Sequence, residues 1–217
     1  MKKVDKKVAP VAAAVRAPRP LMTGTRASME RLEHATARLS FRRIRDALPG
    51  KIETARLVLR APMRGDVPAL VALADNKNIA EKLARLPNPY TRADAIAFIE
   101  IFAQRPDERP YAITGPGGEF MGVVGFSYAM GEHPELGYWL GEPHWGKGFM
   151  TEAVKGLLEA AFATGFYPAV RARALQSNAG SINVLTKAGF ANLGAAVDES
   201  GLHKGQPIFR FRMERPR

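Results

Sequence analysis

The stretch His144-Trp145-Gly146-Lys147-Gly148-Phe149-Met150-Thr151-Glu152-Ala153 decides how the rest of the chain is read. A short apolar segment, Glu135-Leu136-Gly137-Tyr138-Trp139-Leu140, precedes it, and a helical pattern from Val154 to Phe162 follows. A strand, a glycine-bearing turn and a helix, in that order, aim free backbone N–H groups at an anion. The first N–H groups of a helix have no partner within it, and the helix dipole places partial positive charge there. Gly146 and Gly148, with Lys147 between them, let the backbone approach a diphosphate closely.

Outward from this turn the chain alternates strand and helix patterns. Arg56-Leu57-Val58-Leu59-Arg60 alternates like a strand and Pro62 closes it. A helix follows Asp66, and a second, capped by Thr91, carries Ala95, Ile96, Phe98, Ile99 and Phe102 on its apolar face. Tyr111–Thr114 and Phe120–Tyr128 form a hairpin about Gly115-Pro116-Gly117-Gly118. The central helix spans 147–164, a strand Val170–Leu175, and a short helix Asn178–Ala188 stopped by Gly189. Strands near Phe190–Leu193 and Pro207–Met213 close the chain. Antiparallel hairpins combined with one β-α-β crossover predict an α/β fold, a mixed sheet with helices on its faces.

Composition narrows the chemistry. The 217 residues are 46% hydrophobic, enough for one domain with a core and a tail. The absence of cysteine excludes a disulfide framework, a thiolate nucleophile and cysteine-ligated metal. The four histidines show no metal-ligand spacing, so no metal is expected. No apolar run approaches the ~20 residues of a membrane span, and the basic N-terminus lacks the apolar stretch of a secretory signal. A cytoplasmic protein is the expectation.

The net charge of +11 is concentrated at one end. Residues 1–51 hold thirteen Lys and Arg against four acids, a surplus of +9, which leaves +2 for the rest. Residues 1–50 therefore read as a basic extension, disordered over 1–24 and an amphipathic helix over 26–48, ahead of a domain at 51–217. The helix reads either as docked on the domain or as an arm that contacts RNA, the ribosome or another polyanion.

The glycine turn does not match the commoner nucleotide motifs. GxxxxGK[ST] is incomplete, and GxGxxG would need a glycine where Thr151 stands. A second element, Asn178-Ala179-Gly180-Ser181-Ile182-Asn183-Val184-Leu185-Thr186-Lys187-Ala188-Gly189-Phe190, sets the reading. With both blocks in place, residues 52–214 resemble the GCN5-related N-acetyltransferases (GNAT), within them the RimJ/RimL-like group. The family motif [QR]xxGx[GA] falls on Trp145 to Met150, with Gly148 as the fixed glycine, Trp145 in place of Gln or Arg, and Met150 in place of a small residue. The block N-x-x-S-x-x-x-x-x-K-x-G-F is matched by Asn178, Ser181, Lys187, Gly189 and Phe190.

The resemblance implies a six- to seven-stranded, mostly antiparallel sheet, splayed between its two central strands and flanked by four helices. It implies acetyl-CoA as co-substrate. The N–H groups of Gly146, Lys147, Gly148, Phe149, Met150 and Thr151 then hold the diphosphate with little help from the Trp145 side chain. Asn178 bonds the pantetheine, and the N–H of Leu140 or its neighbour polarises the thioester carbonyl. Glu135 is the candidate base, directly or through a water, with His133 as a second candidate. Ser181 is the candidate donor to the departing thiolate. Of Tyr138 and Trp139, one is expected to face the core and the other the cleft. Asn178 also suits a helix cap.

The expected activity is direct transfer of acetyl to a primary amine, at a protein N-terminus of the ribosomal-protein type or on a small molecule. A homodimer is compatible with this reading. The rival is a non-catalytic acyl-CoA sensor recruited to RNA by its basic arm.

Overall fold

The computed structural model describes residues 26–199 and 201–217. The segment 1–24, expected to be disordered, lies outside them. The described chain folds around one eight-stranded sheet with the strand order β1-β2-β3-β4-β5-β6-β8-β7. The strands are β1 (Lys51–Glu53), β2 (Val58–Arg60), β3 (Glu108–Thr114), β4 (Phe120–Ser127), β5 (Glu135–Leu140), β6 (Ala169–Leu175), β7 (Ala191–Val197) and β8 (Pro207–Glu214). Every neighbouring pair is antiparallel except β5 and β6. The helices are α1 (Arg26–Asp46), α2 (Val67–Ala74), α3 (Lys77–Ala80), α4 (Arg92–Glu100), α5 (Phe149–Ala163) and α6 (Ala179–Ala188).

The mixed α/β architecture is the expected one, but its counts are corrected. The described residues hold eight strands, not six or seven, and beside α1 five α-helices, not four, the additional one being α3. The additional strand, β1, is three residues long and pairs with β2 through the turn at 54–57, too short to show a period. Helix α3 is a single turn capped by the Asn76 side chain, which accepts from the N–H of Asn78 at 2.8 Å.

Apolar side chains fill both faces of the sheet. On one face Leu157 and Leu158 of α5, Leu185 of α6, Tyr167 and Phe211 form the larger core. On the other, Val67 and Leu70 of α2 pack with Ala95 and Ile99 of α4 and with Phe120. Strand alternation sends Leu136 and Leu140 of β5 to the first core and Trp139 to the second. Tyr138 packs on the α5/α6 side, so Tyr138 and Trp139 lie on opposite faces, yet both line the same cavity.

The last turns of α1 belong to the first core. The Phe41 ring stacks on Tyr128 at 6.1 Å, Tyr167 donates its O–H to the Ile44 carbonyl at 3.3 Å, and Leu48 is buried. Among the described residues, no helix is long and apolar enough to cross a membrane.

Two glycines let β4 lie close to its neighbours. A Cβ on Gly122 would sit 2.3 Å from the Trp139 carbonyl oxygen and 2.9 Å from the Leu140 Cα, both backbone atoms of β5. A Cβ on Gly125 would sit 2.4 Å from the Arg109 carbonyl oxygen of β3. Gly122→Ala is therefore expected to force β4 from β5, at a cost of about 1–3 kcal/mol and a melting midpoint lower by several degrees. Thermal unfolding followed by circular dichroism checks this. An unchanged midpoint would show that the close approach is not needed.

Candidate active site

The site begins where β5 and β6 stop pairing. They share one register pair, Glu135 with Arg171, and the Arg171 N–H donates to the Pro134 carbonyl at 3.0 Å. Beyond it the two strands diverge. In the antiparallel ladder with β4, Gly141 N–H donates to the Met121 carbonyl at 2.8 Å, so the odd positions of β5 bond to β4. The even positions, Tyr138 and Leu140, turn their N–H and C=O groups the other way, into the gap. The indole N–H of Trp145 donates to the Leu140 carbonyl at 2.6 Å. That satisfies the acceptor β6 would have met, and leaves the Leu140 N–H as the donor facing the gap.

The same tryptophan anchors the turn into α5. Gly146 and Gly148 adopt φ of +73° and +79°, a region that favours glycine, and Gly148 is the N-cap. The Glu152 N–H closes the first helical bond onto the Gly148 carbonyl, so the N–H groups of Phe149, Met150 and Thr151 precede the helical ladder. A Cβ on Gly146 would meet nothing within 4 Å, so its backbone faces open space of the kind a diphosphate needs. Met150 contributes only backbone here, since its side chain is buried in the core. Lys147 folds back, its Nζ donating to the Pro143 carbonyl at 2.9 Å.

A latch holding this turn escapes the sequence reading. Glu152 accepts from Thr54 Oγ1, from the Arg56 N–H and from Arg56 Nε, each at 2.7 Å. Arg56 also donates to the Lys147 carbonyl at 3.1 Å, and its guanidinium lies 4.6 Å from the Phe149 ring centroid. The helix N-terminus is thus tied to the β1–β2 turn, with a guanidinium beside Gly148. The partners lie almost a hundred residues apart, and Arg56, which the alternation of Arg56-Leu57-Val58-Leu59-Arg60 assigns to a strand, lies in the turn before β2.

Helix α6 brings the second block to the gap. Asn178 is its N-cap, and its Oδ1 accepts the Ser181 N–H at 3.1 Å. The capping role is therefore present, and the Asn178 amide NH2 remains the group able to donate to a ligand. Ser181 Oγ lies 2.9 Å from the Tyr138 hydroxyl. Glu135, at the head of β5, has both oxygens engaged, Oε1 by Arg173 Nε at 3.0 Å and Oε2 by Arg171 Nη2 at 3.2 Å. His133 lies 3.3 Å from Arg212 Nη2 through its Nε2.

A cavity of about 520 Å3 reaches Asn178, Ser181 and Tyr138 on one side and Glu135, Trp139 and Glu108 on the other, while Leu140 and the turn at 145–151 lie outside its lining. Glu108 is a member of the site that sequence reading missed. Burial raises its carboxyl pKa, and Arg85, 2.8 Å away, offsets that only in part. The loops at 81–85 and 201–203 meet at the cavity rim, where Leu202 N–H donates to the Ala84 carbonyl at 3.1 Å. Among the described residues, no group of three or more His, Asp or Glu side chains is placed to hold a metal ion.

A glycine turn at a helix N-terminus, beside two splayed strands with a donor-lined gap, defines the acyl-CoA-binding transferase class. A family model described as the acetyltransferase (GNAT) domain matches residues 56–191. The chain therefore belongs to the GNAT family of N-acetyltransferases. It is 35% identical over 82 residues to the uncharacterized N-acetyltransferase p20 of Bacillus licheniformis, across 37% of this chain and 46% of that protein, less than half its length. It is 28% identical over 149 residues to the uncharacterized N-acetyltransferase YoaA of Bacillus subtilis strain 168, across 66% of this chain and 84% of that protein. Among solved structures it is similar to the ribosomal-protein α-N-acetyltransferase RimL in complex with coenzyme A, at a TM-score of 0.67 and 21% identity, over 76% of this chain and 97% of that one. It is also similar to spermidine N-acetyltransferase from Vibrio cholerae, solved with CoA and spermine, at 0.62 and 20%, over 73% and 95%. At such identities these two likenesses show the fold.

The latch makes its own test. Burial pushes the Glu152 carboxyl up, but hydrogen bonds from Thr54 and Arg56 outweigh it and hold the group below the ordinary glutamate value. A carboxyl depressed in the folded state stabilises the fold above its unfolded pKa of ~4.3, and that stability fades as pH falls through the folded value. Glu152→Gln is expected to lower the melting midpoint near neutral pH and to lower it less in acid, below about pH 4. Melting curves at both pH values check this, and an equal deficit at both would contradict the charge-based latch.

Proposed function

We propose that this protein transfers the acetyl group of acetyl-CoA directly to the α-amine of a polypeptide N-terminus, as a ribosomal-protein type of acetyltransferase does. The cavity that crosses the β5–β6 gap carries this reading, because it joins the cofactor-side residues Asn178 and Ser181 to the acceptor-side carboxylates Glu135 and Glu108. The N–H groups from Gly146 to Thr151 hold the diphosphate, and Asn178 donates to the pantetheine arm. The Leu140 N–H stabilises charge developing on the thioester oxygen. Ser181 donates a hydrogen bond to the departing sulfur. The chain contains no cysteine, in keeping with transfer that needs no thioester on the enzyme.

The acceptor follows from charge and from acidity. An α-amine titrates near ~8 and a lysine amine near ~10.4, so an N-terminal amine is already partly neutral at pH 7. Glu135, with both oxygens held by guanidinium groups, then has only to orient a water that takes the proton. Three of the four carboxylates lining the cavity are matched by arginine, Glu108 by Arg85, Glu135 by Arg171 and Arg173, and Asp198 by Arg173, while Asp94 is held by Thr91. A polyamine would need several acidic groups that arginine does not neutralise, and the lining offers only Asp94, so the cavity favours a singly charged amine over spermidine. Arg38 and Arg42 stand exposed on α1, which supports contact with a polyanion such as ribosomal RNA.

Two measurements check the reading. Gly148→Asp is expected to weaken acetyl-CoA binding by ~100-fold or more, through a carboxylate set beside the diphosphate. Calorimetric titration on folded protein reads this, and unchanged affinity would move the cofactor site elsewhere. In a panel of N-terminal peptides, spermidine and free amino acids, the peptides are expected to show the highest kcat/KM. Faster turnover of spermidine would overturn the acceptor assignment, and tight acetyl-CoA binding with no turnover of any amine would favour a sensor.

A further inference from the structure

Tyr138 reaches from β5 across the gap to the first turn of α6. Its hydroxyl lies 2.9 Å from Ser181 Oγ and 3.2 Å from the Ser181 carbonyl oxygen. Ser181 is held on its other side by the bond from its N–H to Asn178 Oδ1. Both residues line the same cavity as Glu135. We propose that Tyr138 is a positioning residue for acetyl transfer, which sets the direction of the Ser181 proton.

The argument is a count of protons. A phenol has one hydrogen to give. If Tyr138 gives it to the Ser181 carbonyl, the phenol oxygen accepts the serine hydrogen, and Ser181 has none to offer a ligand. If Tyr138 gives it to Ser181 Oγ, that lone pair is occupied and the serine hydrogen is free to point into the cavity. The heavy atoms are already placed for both arrangements, so the exchange needs only rotation about two C–O bonds. Negative charge growing on a departing sulfur favours the second arrangement, since it draws a donor toward itself.

The tyrosine itself stays a donor. Burial pushes its pKa well above the ordinary tyrosine value, and the Ser181 hydrogen bond counters this only in part. It therefore remains protonated through the neutral range. No covalent bond to the enzyme forms or breaks in this role. The hydrogen bonds rearrange, and the proton that finally rests on sulfur is balanced by the one the amine loses to water.

The inference rests on the assignment of Ser181 as the donor to sulfur, and a double-mutant cycle separates the two. Tyr138→Phe keeps the ring that packs against the core, and removes only the hydroxyl. The single variants Tyr138→Phe and Ser181→Ala and the double variant are compared for kcat, for KM toward acetyl-CoA, for CoA affinity by titration, and for melting midpoint. Tyr138→Phe is expected to lower kcat about tenfold, the worth of one hydrogen bond, with CoA affinity and midpoint little changed. The double variant is expected to be no slower than Ser181→Ala alone, because the tyrosine acts through the serine. If the two losses multiply, or if Tyr138→Phe keeps full kcat while Ser181→Ala does not, the positioning role is overturned. If Ser181→Ala itself keeps full kcat, the donor assignment fails, and the inference with it.

Discussion

The parting of β5 and β6 after Glu135 and Arg171 is the constraint on which the site depends. A parallel pair that continued would use up the N–H and C=O groups of Tyr138 and Leu140 in a ladder. Because it stops, those groups face a gap, and buried backbone groups without partners are costly. The chain resolves the acceptor with a side chain: the Trp145 indole takes the Leu140 carbonyl at 2.6 Å. One bond thus does two things. It closes the edge of the strand that would otherwise seek an N–H, and it fixes the start of the glycine turn against the end of β5. The free donor of the gap and the free donors of α5 are thereby fixed to the same end of β5, which is the layout the proposed cofactor reading calls on.

Much of this was legible because it is local. A left-handed glycine before α5, an asparagine that caps α6, and an apolar strand ahead of a turn are each written within about a dozen residues. The positions from Trp145 to Thr151, and Asn178 and Ser181, could be singled out for that reason. The motif also made sense of Trp145 as something other than a phosphate ligand, although its bond to Leu140 could not be read from spacing. What was not legible is long-range. The Glu152 latch joins residues 96 and 98 positions apart, and no local pattern distinguishes a carboxylate that faces Arg56 from one that faces water. The same holds for the particular contacts by which α1 docks, Phe41 on Tyr128 and Ile44 on Tyr167, for Glu108 in the cavity, and for the clamp of Arg171 and Arg173 on Glu135. Strand β1 was invisible for a different reason: three residues cannot establish a period of two.

The acceptor side is shaped by compensation. Glu108, Glu135 and Asp198 each stand against an arginine, and Phe102 carries two further guanidinium contacts, from Arg85 at 5.4 Å and Arg105 at 5.9 Å. These pairs leave a largely apolar lining without a strong net charge. The loops at 81–85 and 201–203 meet above it through Leu202 and Ala84, and the buried His203 ring sits 3.2 Å from the Glu81 carbonyl. The cavity lining is therefore drawn from several separate stretches of chain, while the proposed cofactor site rests on two compact blocks.

The most direct test is a crystal structure with coenzyme A bound. The account requires diphosphate oxygens within hydrogen-bond distance of N–H groups between Gly146 and Thr151, the pantetheine arm between β5 and β6, and the sulfur within reach of Ser181 Oγ. A diphosphate held elsewhere, or an arm lying outside the gap with β5 and β6 unchanged, would contradict it.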